Sequence, residues 1–256
     1  MIRSLFSAFL MYSRIPVPKV EWTDKNRRYA LGFFPLVGAV TGGALIGLRF
    51  LFDILGFGKL MFASAAVVLP IIITGGIHLD GFCDVSDALC SFGDKEKRLM
   101  IMKDPHIGSF SVIKLVTLMI LELGLFSQVS TLKELVPIAA GYVLSRALSG
   151  LMAVLLKSAS QNGSLVSFIK AADKKITAFM DIFFAFAAVL CMSLVSLPAA
   201  MYCTAAAVFT ALYFIYSSNK NFGGVTGDLC GWFLQLCELS VLAAAVFSNA
   251  VLEVLK

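Results

Sequence analysis

Seven stretches of this 256-residue chain, roughly 30–52, 60–79, 111–129, 135–156, 178–197, 199–217 and 231–252, are almost free of charge. Each is close to the ~20 apolar residues that a helix needs to cross about 30 Å of hydrocarbon. Apolar and aromatic residues make up 59% of the chain and charged residues 14%, where an ordinary soluble domain carries about 25% charged. The 21 Lys and Arg and 16 Asp and Glu are too few to coat a soluble globule of this length, because such side chains seldom go inside unpaired. A soluble fold, a disordered chain and a disulfide scaffold are therefore excluded. The expectation is an all-α polytopic membrane protein of about seven transmembrane helices, embedded in a lipid bilayer.

Ahead of the first run, the apolar stretch Leu5–Tyr12 is short and no small-x-small cleavage site follows it, so an amphipathic, interfacial N-terminal helix is expected instead of a signal peptide. The six cysteines include no Cys-x-x-Cys pair and three fall inside predicted spans; they read as small apolar packing residues. No repeat and no Pro/Gly/Ser linker divides the chain, which gives one domain over residues 1–256.

Orientation follows the Lys/Arg bias of short connections. Sixteen basic residues fall on one side with the N-terminus, three (Lys59, Lys133, Lys256) on the other, and Arg49 and Arg146 within spans. That split places the N-terminus in the cytoplasm. The connections on that side are also the long ones, rich in ionisable residues and glycine, so chemistry is expected there. In the first span, Gly38 with Gly42 and Gly43 with Gly47 are spaced to let helix backbones approach closely.

Three polar blocks converge on this face. The first is Gly75-Gly76-Ile77-His78-Leu79-Asp80-Gly81-Phe82-Cys83-Asp84-Val85-Ser86-Asp87. On a helix, Asp80, Asp84 and Asp87 fall within a stripe roughly 60° wide. Like charges so arranged need a raised pKa, a basic partner or a divalent cation, and oxygen-only ligands beside phosphates favour Mg²⁺. The second block is Lys103-Asp104-Pro105-His106-Ile107-Gly108-Ser109 after the basic stretch Lys95-Glu96-Lys97-Arg98. Here Lys103 and Arg98 suit phosphate oxygens, Asp104 is a helix cap or a further metal ligand, and His106 is ambiguous. The third is Asn221-Phe222-Gly223-Gly224-Val225-Thr226-Gly227-Asp228, where glycines permit close backbone approach and a helix N-terminus with Thr226 offers donors to an anion. Arg146, Glu122 and Glu238 are expected to pair or to face the polar interior.

These blocks, with Arg14-Ile15-Pro16-Val17-Pro18 and Phe34-Pro35-Leu36-Val37-Gly38, resemble the cobalamin synthase family, from about Arg14 to Glu238. This chain has Pro105-His106 where the family often has Ser-Arg, Ser111 for Gly and Gln235 for Glu. The resemblance implies a bacterial inner-membrane, Mg²⁺-dependent adenosylcobinamide-GDP ribazoletransferase. In that reaction a hydroxyl of α-ribazole or its 5′-phosphate attacks the cobinamide-bearing phosphorus of adenosylcobinamide-GDP and expels GMP. It further implies Asp80, Asp84 and Asp87 as metal ligands, one doubling as base, with Asp104 and Asp228 next. Substrate contacts then fall to Arg14, Arg98, Lys103, His106, Arg146, Gly223, Gly224, Thr226 and Gly227. No nucleic-acid partner is expected, and a homo-oligomer is compatible with the pattern. Two other readings stand beside it. A CDP-alcohol phosphotransferase shares the chemistry, but its Asp-x2-Asp-Gly-x2-Ala-Arg-x8-Gly-x3-Asp-x3-Asp pattern meets only Asp80-Gly81 here. A cation transporter places acids and broken helices at the bilayer midplane, whereas most acids here sit at the cytoplasmic boundary.

Overall fold

The computed structural model describes residues 1–160 and 163–254, with the side chains of residue 164 and of residues 252–254 left aside; Lys256 lies outside the described residues. The chain opens with helix α1 (Ile2–Tyr12), which turns Ser4, Ser7, Ala8 and Tyr12 inward and leaves Ile2 exposed. A short helix α2 (Asp24–Arg27), capped by the Thr23 side chain, and a 3-10 turn at Leu31–Phe33 lead into α3 (Phe34–Leu55), which has Pro35 in its first turn.

The second apolar run does not form one straight helix. Helix α4 (Lys59–Thr74) ends at Gly75 and Gly76, both left-handed (φ 70° and 79°), and α5 (Ile77–Cys90) departs at 97° to it. The expected span of 60–79 is corrected accordingly: His78 and Leu79 open α5. Hydropathy passes over this break because glycine interrupts no apolar run, yet two successive left-handed residues are readily adopted only by glycine.

The remaining elements are α6 (Lys95–Ile101), α7 (Ser109–Phe126), α8 (Leu132–Leu155), α9 (Ser164–Ala171), α10 (Lys174–Val195), α11 (Leu197–Phe222) and α12 (Gly227–Val254). Their starts are chemically marked. Asp94 caps α6, Thr131 and Glu134 form a capping box on α8, Asp173 caps α10 and Ser196 caps α11. Among the described residues six segments are long and apolar enough to cross a membrane: Asp24–Leu55, α7, α8, α10, α11 and residues 227–251 of α12. The bent α4–α5 pair makes a seventh when counted as one broken span. The chain is an all-α, multi-pass membrane protein.

Helix α8 is the centre of the bundle, with 78% of its most apolar stretch buried against 17% for α7 and α10, whose apolar side chains face outward. Its contact with α3 uses Gly38 and Gly42, where an added methyl would collide with the carbonyls of Tyr142 and Ala139. Gly43 and Gly47 do not follow suit. Nothing lies within 4 Å of a side chain built on either, so only the first of the two expected pairs is a packing contact. All six cysteines are free thiols.

Candidate active site

The aspartate block is helical as its spacing predicts, but the structure gives the three carboxylates different tasks. Asp87 accepts hydrogen bonds from the backbone N–H of Gly108 (2.7 Å) and Ser111 (2.9 Å) and from the Ser111 hydroxyl. It therefore caps the N-terminus of α7 and ties α5 to it. The fit is tight, because a methyl on Gly108 would stand 2.5 Å from the Asp87 carboxylate. Asp84 and Asp80, one and two turns earlier, have no ion pair or side-chain hydrogen bond among the described residues.

A further carboxylate arrives from the third block. Helix α12 begins where α5 passes it, and the two backbones touch at Gly81. A side chain there would meet the Asp228 carbonyl oxygen at 2.7 Å and its Cα at 2.8 Å. Three residues beyond Asp228, a side chain on Gly231 would stand 3.1 Å from the His78 carbonyl oxygen. This glycine contact sets Asp228 beside Asp80 in one cavity wall and puts Asp84 within the field of Asp80, Asp228 and Asp87. Neither Gly81 nor Gly231 stands out in the sequence as a site residue, since only the partner helix shows why no Cβ fits.

The glycines of the third block do not open the backbone to an anion as expected. The N–H groups of Gly223, Gly224 and Val225 are occupied by the carbonyls of Asn219, Ser218 and Lys157. Gly224 is the point where this segment lies against Lys157–Ala159, forming a short parallel bridge between Ser158 and Val225. Thr226 accepts from the Leu229 N–H (3.2 Å) and caps α12, with Gly227 exposed beside it. The block thus holds Asp228 in place by backbone pairing and capping.

The basic candidates separate into two groups. Arg14 donates its backbone N–H to Ile73 (2.7 Å) and lays its side chain against Gly75. It lines a cleft of about 570 Å³ with Lys19, Gly75 and Ile77. Gly75 and Ile77 are shared with a second cleft of about 410 Å³, lined by Asp80, Asp84, Asp104 and His106. Lys103 is exposed at the edge of the same loop. Asp104 and His106 pair with each other at 2.7 Å, and the His106 ring and backbone hold the Asp104 carboxyl below the usual carboxylate range. Arg98 is engaged elsewhere, donating to the Asn221 side chain at 2.5 Å and thereby joining α6 to the end of α11.

Arg146 is not brought to these clefts. It is fully buried, 2.6 Å from Glu238 Oε1 and 3.0 Å from the Tyr142 carbonyl, and lines a small internal cavity with His78, Glu122 and Glu238. The expected pairing of Arg146 with Glu238 is present. Its charge is held inside the bundle by that pair.

The model of the cobalamin-5-phosphate synthase family matches residues 4–246. The chain belongs to this family. It is similar to proteins named adenosylcobinamide-GDP ribazoletransferase. That of Lachnoclostridium phytofermentans is 40% identical over 98% of this chain and 96% of its own length. Those of Clostridium perfringens (32% over 90% and 92%) and Chlorobium phaeovibrioides (33% over 96% and 97%) are comparable. No solved structure matches the chain.

In this cobalamin-5-phosphate synthase family member, the donor set can be tested against a divalent cation. No three His, Cys, Asp or Glu side chains among the described residues close on one metal position, so an all-protein cage is absent there. Mg²⁺ does not need one, since it is held by one or two carboxylates and completes its shell with water and substrate phosphates. Asp80, Asp84 and Asp228 are carboxylates without basic partners among the described residues, beside open clefts, and they fit that mode. Asp87 has its oxygens committed to α7, which suits it to positioning.

Proposed function

We propose that the chain is an adenosylcobinamide-GDP ribazoletransferase working at the cytoplasmic face of a bacterial inner membrane. The observation that carries the reading is that Asp80 and Asp84, with no basic partner among the described residues, line a cleft that adjoins the Arg14 and Lys19 cleft, with Asp228 beside Asp80 in the neighbouring cavity. Displacement at a diphosphate needs both halves of this arrangement: cationic contacts for phosphate oxygens, and a carboxylate to receive the nucleophile's proton.

In the reaction, a ribose hydroxyl of α-ribazole or its 5′-phosphate forms a new O–P bond at the cobinamide-bearing phosphorus. The anhydride bond to the outgoing GMP breaks, and the hydroxyl proton passes to Asp80 or Asp84. One or two of Asp80, Asp84 and Asp228 would hold Mg²⁺, which would neutralise phosphate charge when bound. Arg14 and Lys103 bind phosphate oxygens, and Asp87 holds α5 in register with the loop that carries Asp104 and His106. The positive charge of the N-terminal arm and of the connections after α5 and α8 supports the cytoplasmic orientation.

The test is GMP release by detergent-solubilised protein given adenosylcobinamide-GDP and α-ribazole phosphate, with Mg²⁺ present or chelated. Mg²⁺-dependent GMP and a matching cobalamin product are expected, both lost in a folded Asp84→Asn variant. Folded wild-type protein that yields no product refutes the assignment.

A further inference from the structure

A separate cavity opens beside Asp80 and Asp228, walled by Met11, Tyr12, Leu31, Phe34, Leu165 and Leu234 from α1, α3, α9, α12 and the turn before α3. Its aromatic wall is continuous. The Tyr12 and Phe34 rings lie 4.1 Å apart, and the His78 ring lies 6.4 Å from Tyr12, nearly parallel, and 5.7 Å from Phe34. His78 is buried, with no hydrogen-bond partner on its Nε2 among the described residues. We infer that this cavity binds the aromatic base of the ribazole substrate, so that the ribose hydroxyl is delivered at its mouth to the Asp80 carboxylate. The inference rests on the reaction proposed above.

Three features select this occupant over the other parts of the two substrates. At about 90 Å³ the cavity excludes a corrin, but its open mouth admits the edge of a flat ring. Guanine carries donors and acceptors around most of its perimeter; Asp80 and Asp228 meet only groups at the mouth and Ser149 offers one hydroxyl, so those on the edge set against Met11, Leu31, Phe34, Leu165 and Leu234 would be left unpaired. A dimethylbenzimidazole has two methyl groups on one edge and a single unsubstituted ring nitrogen. The methylated edge matches the apolar walls, and the nitrogen can accept from a neutral His78 ring. Ring faces of Tyr12 and Phe34 supply the stacking surface.

Ala153, buried in α8 on the cavity wall, gives the test. Ala153→Leu places extra carbons where the methylated edge would lie. The KM for α-ribazole phosphate should rise about tenfold or more, the scale on which a hydrophobic pocket weighs added methylenes, while the KM for adenosylcobinamide-GDP stays unchanged. A riboside of benzimidazole lacking the two methyls should recover activity in this variant. Leu165→Ala, which enlarges the cavity, should instead accept a bulkier tricyclic riboside that wild-type protein refuses. This keeps the idea testable if Ala153→Leu does not fold. A rise confined to adenosylcobinamide-GDP, or equal rises for both substrates, overturns the inference while leaving the reaction standing. If wild-type protein makes no product, equilibrium dialysis with the riboside alone separates the two ideas. Binding that Ala153→Leu weakens retains the cavity as the base site; no binding removes it.

Discussion

Gly81→Ala is the sharpest probe of how this site is built, because the change is one methyl group and lies on backbone that cannot turn aside. The new Cβ would stand 2.7 Å from the Asp228 carbonyl oxygen and 2.8 Å from its Cα, where carbon contacts settle at about 3.5–4.0 Å. Helices α5 and α12 must then separate by roughly 1 Å, at the ~1–3 kcal/mol typical of overpacking. The same movement carries Asp228 away from Asp80 and Asp84, and a ~1 Å misplacement of reacting groups costs on the order of 100-fold in rate. The expected result is a folded protein with a lowered melting temperature in detergent and GMP release reduced about 100-fold. Gly43→Ala is the matched control, since nothing lies within 4 Å of its added methyl, and it should keep full activity. Gly81→Ala with a wild-type rate would refute the claim that the α5–α12 contact sets the carboxylate geometry.

Two further substitutions separate positioning from chemistry. Asp87→Ala removes the acceptor for the Gly108 and Ser111 N–H groups; it should lower stability by about 1 kcal/mol or more, as for loss of a helix cap, and lower activity less than Asp84→Asn, and an equal loss of activity in the two with unchanged melting would contradict a capping role. Arg146→Met alone should cost about 3–5 kcal/mol by leaving Glu238 buried and unpaired, and combining it with Glu238→Leu should recover most of that; a stable double variant that no longer turns over would place Arg146 in contact with substrate after all.

The membrane fold was legible because it depends on summed apolarity. Runs of about twenty apolar residues can satisfy their backbone in lipid only as helices, and six of the seven have a straight helical counterpart, the second falling on the bent α4–α5 pair. The carboxylate stripe was legible for a similar reason, since the spacing of Asp80, Asp84 and Asp87 needs only a helix to align it. What escaped the sequence depends on a partner that is distant in the chain. Gly81, read alone, is a weak helix former; its meaning comes from Asp228, which lies against it. Asp87 looked equivalent to Asp80 until the N-terminus of α7 took up its oxygens. The Gly223–Thr226 block has the composition of an anion-binding loop, yet its donors face Lys157 and the end of α11, which no local pattern reveals. Gly75 and Gly76 lie inside the second apolar run, and hydropathy does not register the turn they make.

These departures share a cause that bears on how the site holds together. Unpaired carboxylates at a membrane boundary repel one another and are costly to keep out of bulk water, so this region cannot be stabilised by its own functional groups. The contacts that hold it are uncharged: helix backbones in direct contact at Gly81 and Gly231, a short backbone pairing at Val225, and the Thr226 cap. Asp87 is the one acid of the stripe used in that support, and it is the one whose charge is met by N–H donors. Among the described residues Asp80, Asp84 and Asp228 have no basic partner, which leaves them available to the substrate and cation proposed above. Binding of either should raise the melting temperature of the protein, in proportion to its concentration over its Kd.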